Sequence, residues 1–203
     1  MPRGSEQDSG LHTWCVPSQW QAATVIGGRG ALLHLADGSK VLDMSSLAEC
    51  SNLGHQHPAM VNAIQTQAEQ LCFVTNAWGA ESRAELAREL LKVSGFEGGR
   101  VFFTLGGADA NEHAVKIARM VQGSAQAPVI ARERSYHGAS YFGMALSGDA
   151  RTQSLIDATA MGVHHVPAPY AYRCPFDSES PAQCAELAAN AIADKIRELQ
   201  PTQ

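Results

Sequence analysis

No apolar run in these 203 residues approaches the roughly 20 that a helix needs to cross a bilayer, so no membrane partner is expected. Basic residues are not in excess: 15 Lys and Arg against 20 Asp and Glu leave a formal net charge of -5. The two signs are interleaved, which leaves no basic stripe to displace counterions from a phosphate backbone and argues against nucleic acid as a partner. No C-x-x-C pair occurs among Cys15, Cys50, Cys72, Cys174 and Cys184, an odd set at irregular spacing that predicts mostly buried thiols rather than a zinc or dithiol centre. The G-x-G-x-x-G turn of a dinucleotide site is missing as well. Residues 1–10 are polar and show no apolar segment followed by a small-residue cleavage site. They read as a disordered lead, and the cytoplasm is the expected compartment.

What is present is a globular composition. Hydrophobic residues make up 45% and charged residues 17% of the chain, too apolar a balance for a disordered one. The length suits one large domain or part of a longer protein. Residues 31–35 and 40–44 flank Ala36-Asp37-Gly38-Ser39, whose Asp-Gly pair predicts a hairpin. Pro58 opens a helix on which Met60, Ile64, Ala68 and Leu71 share a face. A second helix spans about 81–93, with Leu86, Ala87, Leu90 and Leu91 as its buried stripe, and closes near Gly95.

From Arg100 onward the pattern alternates strand, helix, strand, helix, which predicts an α/β layer with a mainly parallel sheet. The strands are expected at 101–104 and 129–131. The last helix carries Cys184, Leu187, Ala188, Ala191, Ile192, Lys195, Ile196 and Leu199 at helical spacing. Pro201 after it leads toward a further element, so the sheet is expected to be incomplete.

Chemistry concentrates in three segments. In Leu105-Gly106-Gly107-Ala108-Asp109 a Gly-Gly turn precedes an amphipathic helix with Ala110, Ala114, Ile117, Ala118 and Val121 as its apolar stripe. A helix start offers unpaired N–H groups and a partial positive charge, and glycine lets a ligand come close. Spacing alone leaves two readings open, a plain strand-to-helix turn and a phosphate cradle. Tyr136-His137-Gly138 follows the second strand and suits either core packing or an aromatic wall. Upstream, His55 and His57 lack a third ligand at convincing spacing, so no metal site is expected.

Taken in order, Asn52-Leu53-Gly54-His55-Gln56-His57-Pro58, the stretch from Val101 to Arg119 and Arg134-Ser135-Tyr136-His137-Gly138 resemble the N-terminal half of class III aminotransferases. The resemblance runs from about Leu11 onward. It implies an incomplete fold type I large domain, α/β with a mainly parallel sheet and helices on both faces, preceded by an N-terminal hairpin and helix segment. It divides the chain into a disordered lead at 1–10, the N-terminal segment of the small domain with its linking helix at 11–80, and a partial cofactor-binding large domain at 81–203. The implied cofactor is pyridoxal 5'-phosphate, bound by Gly106, Gly107 and Ala108 at its phosphate and by Tyr136 against its ring, with His137 beside it. Trp14 and Trp78 are the implied walls of a substrate pocket, and Trp20 is a weaker candidate. The implied reaction moves an amino group from an amine or amino acid to a 2-oxo acid in a ping-pong cycle, within a homodimer whose active sites lie at the subunit interface.

Two positions depart from the family pattern. A small hydroxyl residue normally stands where this chain has Ala108, and a polar one where it has Leu105. The family's catalytic lysine and the acid that protonates the pyridine nitrogen normally lie beyond the matched segment. Lys40, Lys92, Lys116 and Lys195 fall outside any matching motif. No catalytic residue is therefore expected here, and the chain reads as an N-terminal fragment with little or no transamination of its own. The alternative is a non-catalytic remnant that serves as a phosphate- or cofactor-binding or dimerisation module.

Overall fold

The structure, a computed structural model, describes residues 10–13, 15–96 and 98–199. The lead at 1–9, Trp14 and the proline after the last helix lie outside the described residues. Contacts divide the chain into one unit up to Leu86 and another from Ala87.

The first unit is built on an antiparallel sheet of β1 (Val25–Arg29), β2 (Leu32–Leu35) and β3 (Lys40–Leu42) in that order. The expected hairpin is β2–β3, with Leu33 opposite Val41. Gly38 turns the chain at φ +87, which an L side chain resists. The Asp37 carboxylate accepts from the Ser39 amide and hydroxyl at 2.9 and 2.7 Å. Residues 46–49 then wind left-handedly, at φ between +46 and +64. The Gly-His-x-His-Pro loop lies across the sheet, because His55 and Gly30 exchange both backbone hydrogen bonds, at 2.8 and 3.1 Å. His57 then stands at the N-cap position of α1 (Pro58–Gln70) without a side-chain capping bond, and Pro58 lies in the first turn.

Helix α2 (Glu81–Ser94) carries the division between the units. Its expected stripe is only partly covered: Ala87 and Leu91 are half-buried, while Leu86 and Leu90 are exposed. The α1 face behaves alike, with Met60, Ile64 and Leu71 all exposed. Periodicity identified both helices; their apolar sides are left largely exposed among the described residues.

The second unit contains α3 (Gly107–Val121), β4 (Val129–Arg132), α4 (Tyr141–Leu146), β5 (Val163–Val166) and α5 (Pro181–Leu199). Strands β4 and β5 pair in parallel, Val129 opposite Val163 through Arg132 opposite Val166, joined by a connection that contains α4. Ala131, Ala145, Leu146 and Val163 form the core, with Val115, Val129 and Phe142 packed on it. The connection between parallel strands is the α/β signature expected from the sequence. Helix α5 buries Cys184 and Ala188 and half-buries Leu187, Ala191, Ile192, Lys195 and Leu199, so most of its predicted face packs, while Ile196 on that face is exposed.

Three expectations need correction. Residues 101–104 form no strand, because no neighbouring strand offers them a ladder among the described residues. On α3 the apolar stripe Ala110, Ala114, Ile117, Ala118 and Val121 is exposed throughout. The packing side is instead Ala108, Asn111, Glu112, Val115 and Arg119, held by polar contacts: Arg119 donates to the Ala127 and Met161 carbonyls at 3.0 and 3.2 Å. The cysteines are not mostly buried thiols either. Cys50 and Cys72 are exposed and Cys15 is half-buried, while Cys184 is buried in a disulfide with Cys174, their Cα atoms 6.1 Å apart. Irregular spacing hid this pair because the partners meet through the turn that precedes α5.

Candidate functional site

Helix α3 starts without a side-chain cap: Gly106 at its N-cap is fully extended, and no side chain among the described residues satisfies the first-turn N–H groups. A Cβ built at Gly106 or Gly107 would meet nothing within 4 Å. The amide face is therefore open, and the glycines keep it open where packing does not require them. The one acidic residue of the first turn is turned aside. Asp109 accepts from the Leu105 amide at 3.2 Å and sits 3.1 Å from His113 Nδ1. What remains is a short row of donors at the positive end of a helix dipole, which suits an anion.

The aromatic loop is fixed onto this helix start. Adding a Cβ to Gly138 would bring it within 2.4 Å of Ala108 Cβ, and Gly138 has φ +119, so only glycine lets the loop lie this close. Asn111 Nδ2 donates to the His137 carbonyl at 3.0 Å, and Ser140 Oγ donates to Glu112 Oε1 at 2.5 Å. From the other side, buried Ser147 accepts from the His137 amide at 2.9 Å and donates to the Gly143 carbonyl at 2.8 Å. Ser135 Oγ donates to the Arg132 carbonyl at 2.6 Å, and the Arg134 amide donates to the Gly148 carbonyl at 2.7 Å. The backbone around Tyr136 is thus held at several points while its side chain stays 57% exposed. His137 ties the loop through its own amide and carbonyl.

Charge near the loop is ordered too. Arg151 pairs with Asp149. Its guanidinium is held above its ordinary value, first by the Asp149 hydrogen bond and also by the Asp149 charge. Asp149 is correspondingly held low by Arg151.

The sequence-derived residues therefore sort as follows. Gly106, Gly107 and Ala108 and the loop carrying Tyr136 and His137 come together in the second unit. Trp78 stands in the first unit, 70% exposed, in a turn closed by its amide on the Thr75 carbonyl at 3.1 Å. Trp20 stacks on His12 with ring centroids 3.6 Å apart. His55 Nε2 engages Asp43 Oδ2 at 2.9 Å. Lys92 lies near Glu89, Lys195 bonds Glu198, and Lys40 stands on β3 of the first unit. Lys116 lies nine residues beyond Gly107 on α3, about 13 Å along the axis. A hollow of about 500 Å³ on α3, lined by His113, Lys116, Met120 and Phe142 among others, shares no residue with the open amides or with Tyr136. Sequence reasoning missed Asn111, Glu112 and Ser147; polar side chains at 111 and 112, beside the apolar stripe of α3, were the available signal.

A family model described as aminotransferase class-III matches residues 17–199. The chain is 32% identical over 160 residues to an acetylornithine aminotransferase of Mycolicibacterium smegmatis, an alignment covering 74% of this chain and 40% of that protein. A taurine:2-oxoglutarate aminotransferase from Bifidobacterium kashiwanohense, solved with PLP and glutamate, is 31% identical with a TM-score of 0.85, over 95% of this chain and 43% of that one. An omega transaminase from Pseudomonas jessenii, solved with PMP, has the same fold at a TM-score of 0.88 and 23% identity, over 95% of this chain and 45% of that one. The chain spans about two fifths of the length of the curated relatives it matches.

Proposed function

The chain belongs to the class III aminotransferase family, and we propose that its second unit forms the phosphate-and-ring end of a pyridoxal 5'-phosphate site that serves amino group transfer. Its fold is that of fold type I aminotransferases, over less than half of their length. The observation that carries the reading is the contact of Gly138 with Ala108, which joins the open helix start to the loop of Tyr136. The residues present fit the group: an uncapped, unobstructed row of amides for the phosphate and an exposed aromatic side chain for the ring.

Gly107 and Ala108 would donate their backbone N–H groups to the phosphate, and Gly106 would leave its approach free. Tyr136 would face the ring and limit its solvation on that side. His137 fixes the loop. The cofactor, when bound, supplies an electron sink for the pair released at the substrate's amino carbon. Covalent anchoring and proton movement at that carbon call for a lysine, and Lys92, Lys116 and Lys195 are placed elsewhere in this unit. None of these three lysines is assigned that role. The substrates are an amine or amino acid and a 2-oxo acid, and the partner is a second copy in a cytoplasmic homodimer. No described helix is long and apolar enough to cross a membrane.

The position of the lysines also favours a second reading, a module that binds cofactor or phosphate without catalysis. One titration addresses both. Pyridoxal phosphate is added to the purified chain, absorbance is followed through dialysis and borohydride treatment, and labelled peptides are sought by mass spectrometry. Retention that inorganic phosphate competes away, without a reduced adduct, is expected. A specific adduct on one of the four lysines would overturn the assignment of the missing nucleophile, and no retention at all would sink the cofactor site.

A further inference from the structure

Asn111 is the only side chain of α3 that the structure records holding the backbone of the Tyr136 loop, with Nδ2 3.0 Å from the His137 carbonyl. The amide of the same residue is bonded from the opposite side by Ser147 Oγ at 2.9 Å. His137 is thus pinned at both ends of its backbone, and the residue before it is Tyr136. Ser147 is 1% exposed and its hydroxyl also donates to Gly143 on α4, so that end of the strut is rigid. Asn111 stands one helical turn beyond Gly107, on the side of α3 that packs, so it starts from the same turn that carries the open amides.

We infer that Asn111 is a positioning residue that sets the height and tilt of the Tyr136 ring above the helix start, coupling the ring-binding and phosphate-binding halves of the site through one side-chain hydrogen bond. This rests on the cofactor reading above. The chemistry requires an amide side chain: a donor of this length reaches the carbonyl, whereas an ionised carboxylate of the same shape offers only acceptors and faces a carbonyl oxygen. The helix start itself gains nothing from Asn111, because the Gly107 and Ala108 amides are placed by the first turn of α3 and by Gly138 against Ala108.

The test is a double-mutant cycle on the full chain with two probes, pyridoxal phosphate and inorganic phosphate. Asn111→Asp and Asn111→Ala are each expected to weaken pyridoxal phosphate binding about tenfold, the worth of one hydrogen bond lost with its partner left unpaired. Inorganic phosphate affinity is expected to stay within twofold, since phosphate senses the amides alone. Tyr136→Ala is expected to cause a loss at least as large, and Asn111→Asp added to Tyr136→Ala to cost no more, because Asn111 acts through that ring. Multiplying losses would overturn the coupling, as would an equal loss of phosphate affinity, which marks a general disturbance of α3. Melting temperatures of all variants separate local effects from unfolding. Failure of the unsubstituted chain to bind pyridoxal phosphate overturns the cofactor reading itself, whereas binding with an additive cycle overturns only the role of Asn111.

Discussion

At the scale of single residues the site is defined by two small residues, Ala108 and Gly138, set too close for a side chain at 138. Ala108 stands where the family resemblance implies a hydroxyl residue, and its Cβ occupies the space above Gly138. Serine adds one oxygen to that carbon without enlarging the contact itself. Ala108→Ser is therefore expected to tighten pyridoxal phosphate binding by about 1.5 to 3 kcal/mol, the range for a hydrogen bond to a charged group. Equilibrium dialysis reads this as a fall in Kd of roughly ten- to hundredfold, and an unchanged Kd would mean that the phosphate does not sit at this amide row. The glycines were legible in the sequence because a strand-to-helix turn without side chains is a local signal. The clamp of Asn111, Glu112 and Ser147 was not, because each bond joins residues 10 to 28 positions apart and no local pattern announces such a partner.

Among elements, the clearest device is the clasp between the hairpin sheet and the Gly-His-x-His-Pro loop. Asp43, at the end of β3, bonds His55 through Oδ2 and receives the Ser45 and Leu47 amides on Oδ1 at 3.0 and 3.3 Å. Its carboxyl is held below the ordinary value, first by the Ser45 amide and then by His55. A depressed carboxylate stabilises the folded state above its unfolded pKa, near 3.8, and that contribution is lost as the pH falls through the lower folded value. Asp43→Asn is expected to melt earlier than the parent at neutral pH and to converge with it in acid below that range. Parallel melting curves from pH 7 down to about pH 2 check this; a constant gap would show that the carboxylate charge plays no part. The loop motif was readable as a sequence, and so were the helices, since a 3.6-residue period is local. The strand expected at 101–104 was not formed, because a strand exists only where a neighbour completes its ladder.

For the molecule as a whole, the two units leave much apolar surface in water. Leu105 is fully exposed, and Ile64, Phe73, Phe102 and Val121 are all more than 60% exposed. Surface of this kind on a folded chain marks places where other polypeptide belongs. The isolated chain is expected to bind a hydrophobic dye strongly and to self-associate in sedimentation runs at micromolar concentration; a dye-silent monomer would contradict the exposed faces described above. The family and the α/β class were legible because motifs in order survive without their context. Which helix faces are covered was not, because burial depends on what stands opposite. The stripe from Ala110 to Val121 on α3 carries this furthest. Inside a cell a polypeptide that presents it unshielded is bait for holdases and proteases, so the lifetime of the chain will be governed by how soon something shields that helix.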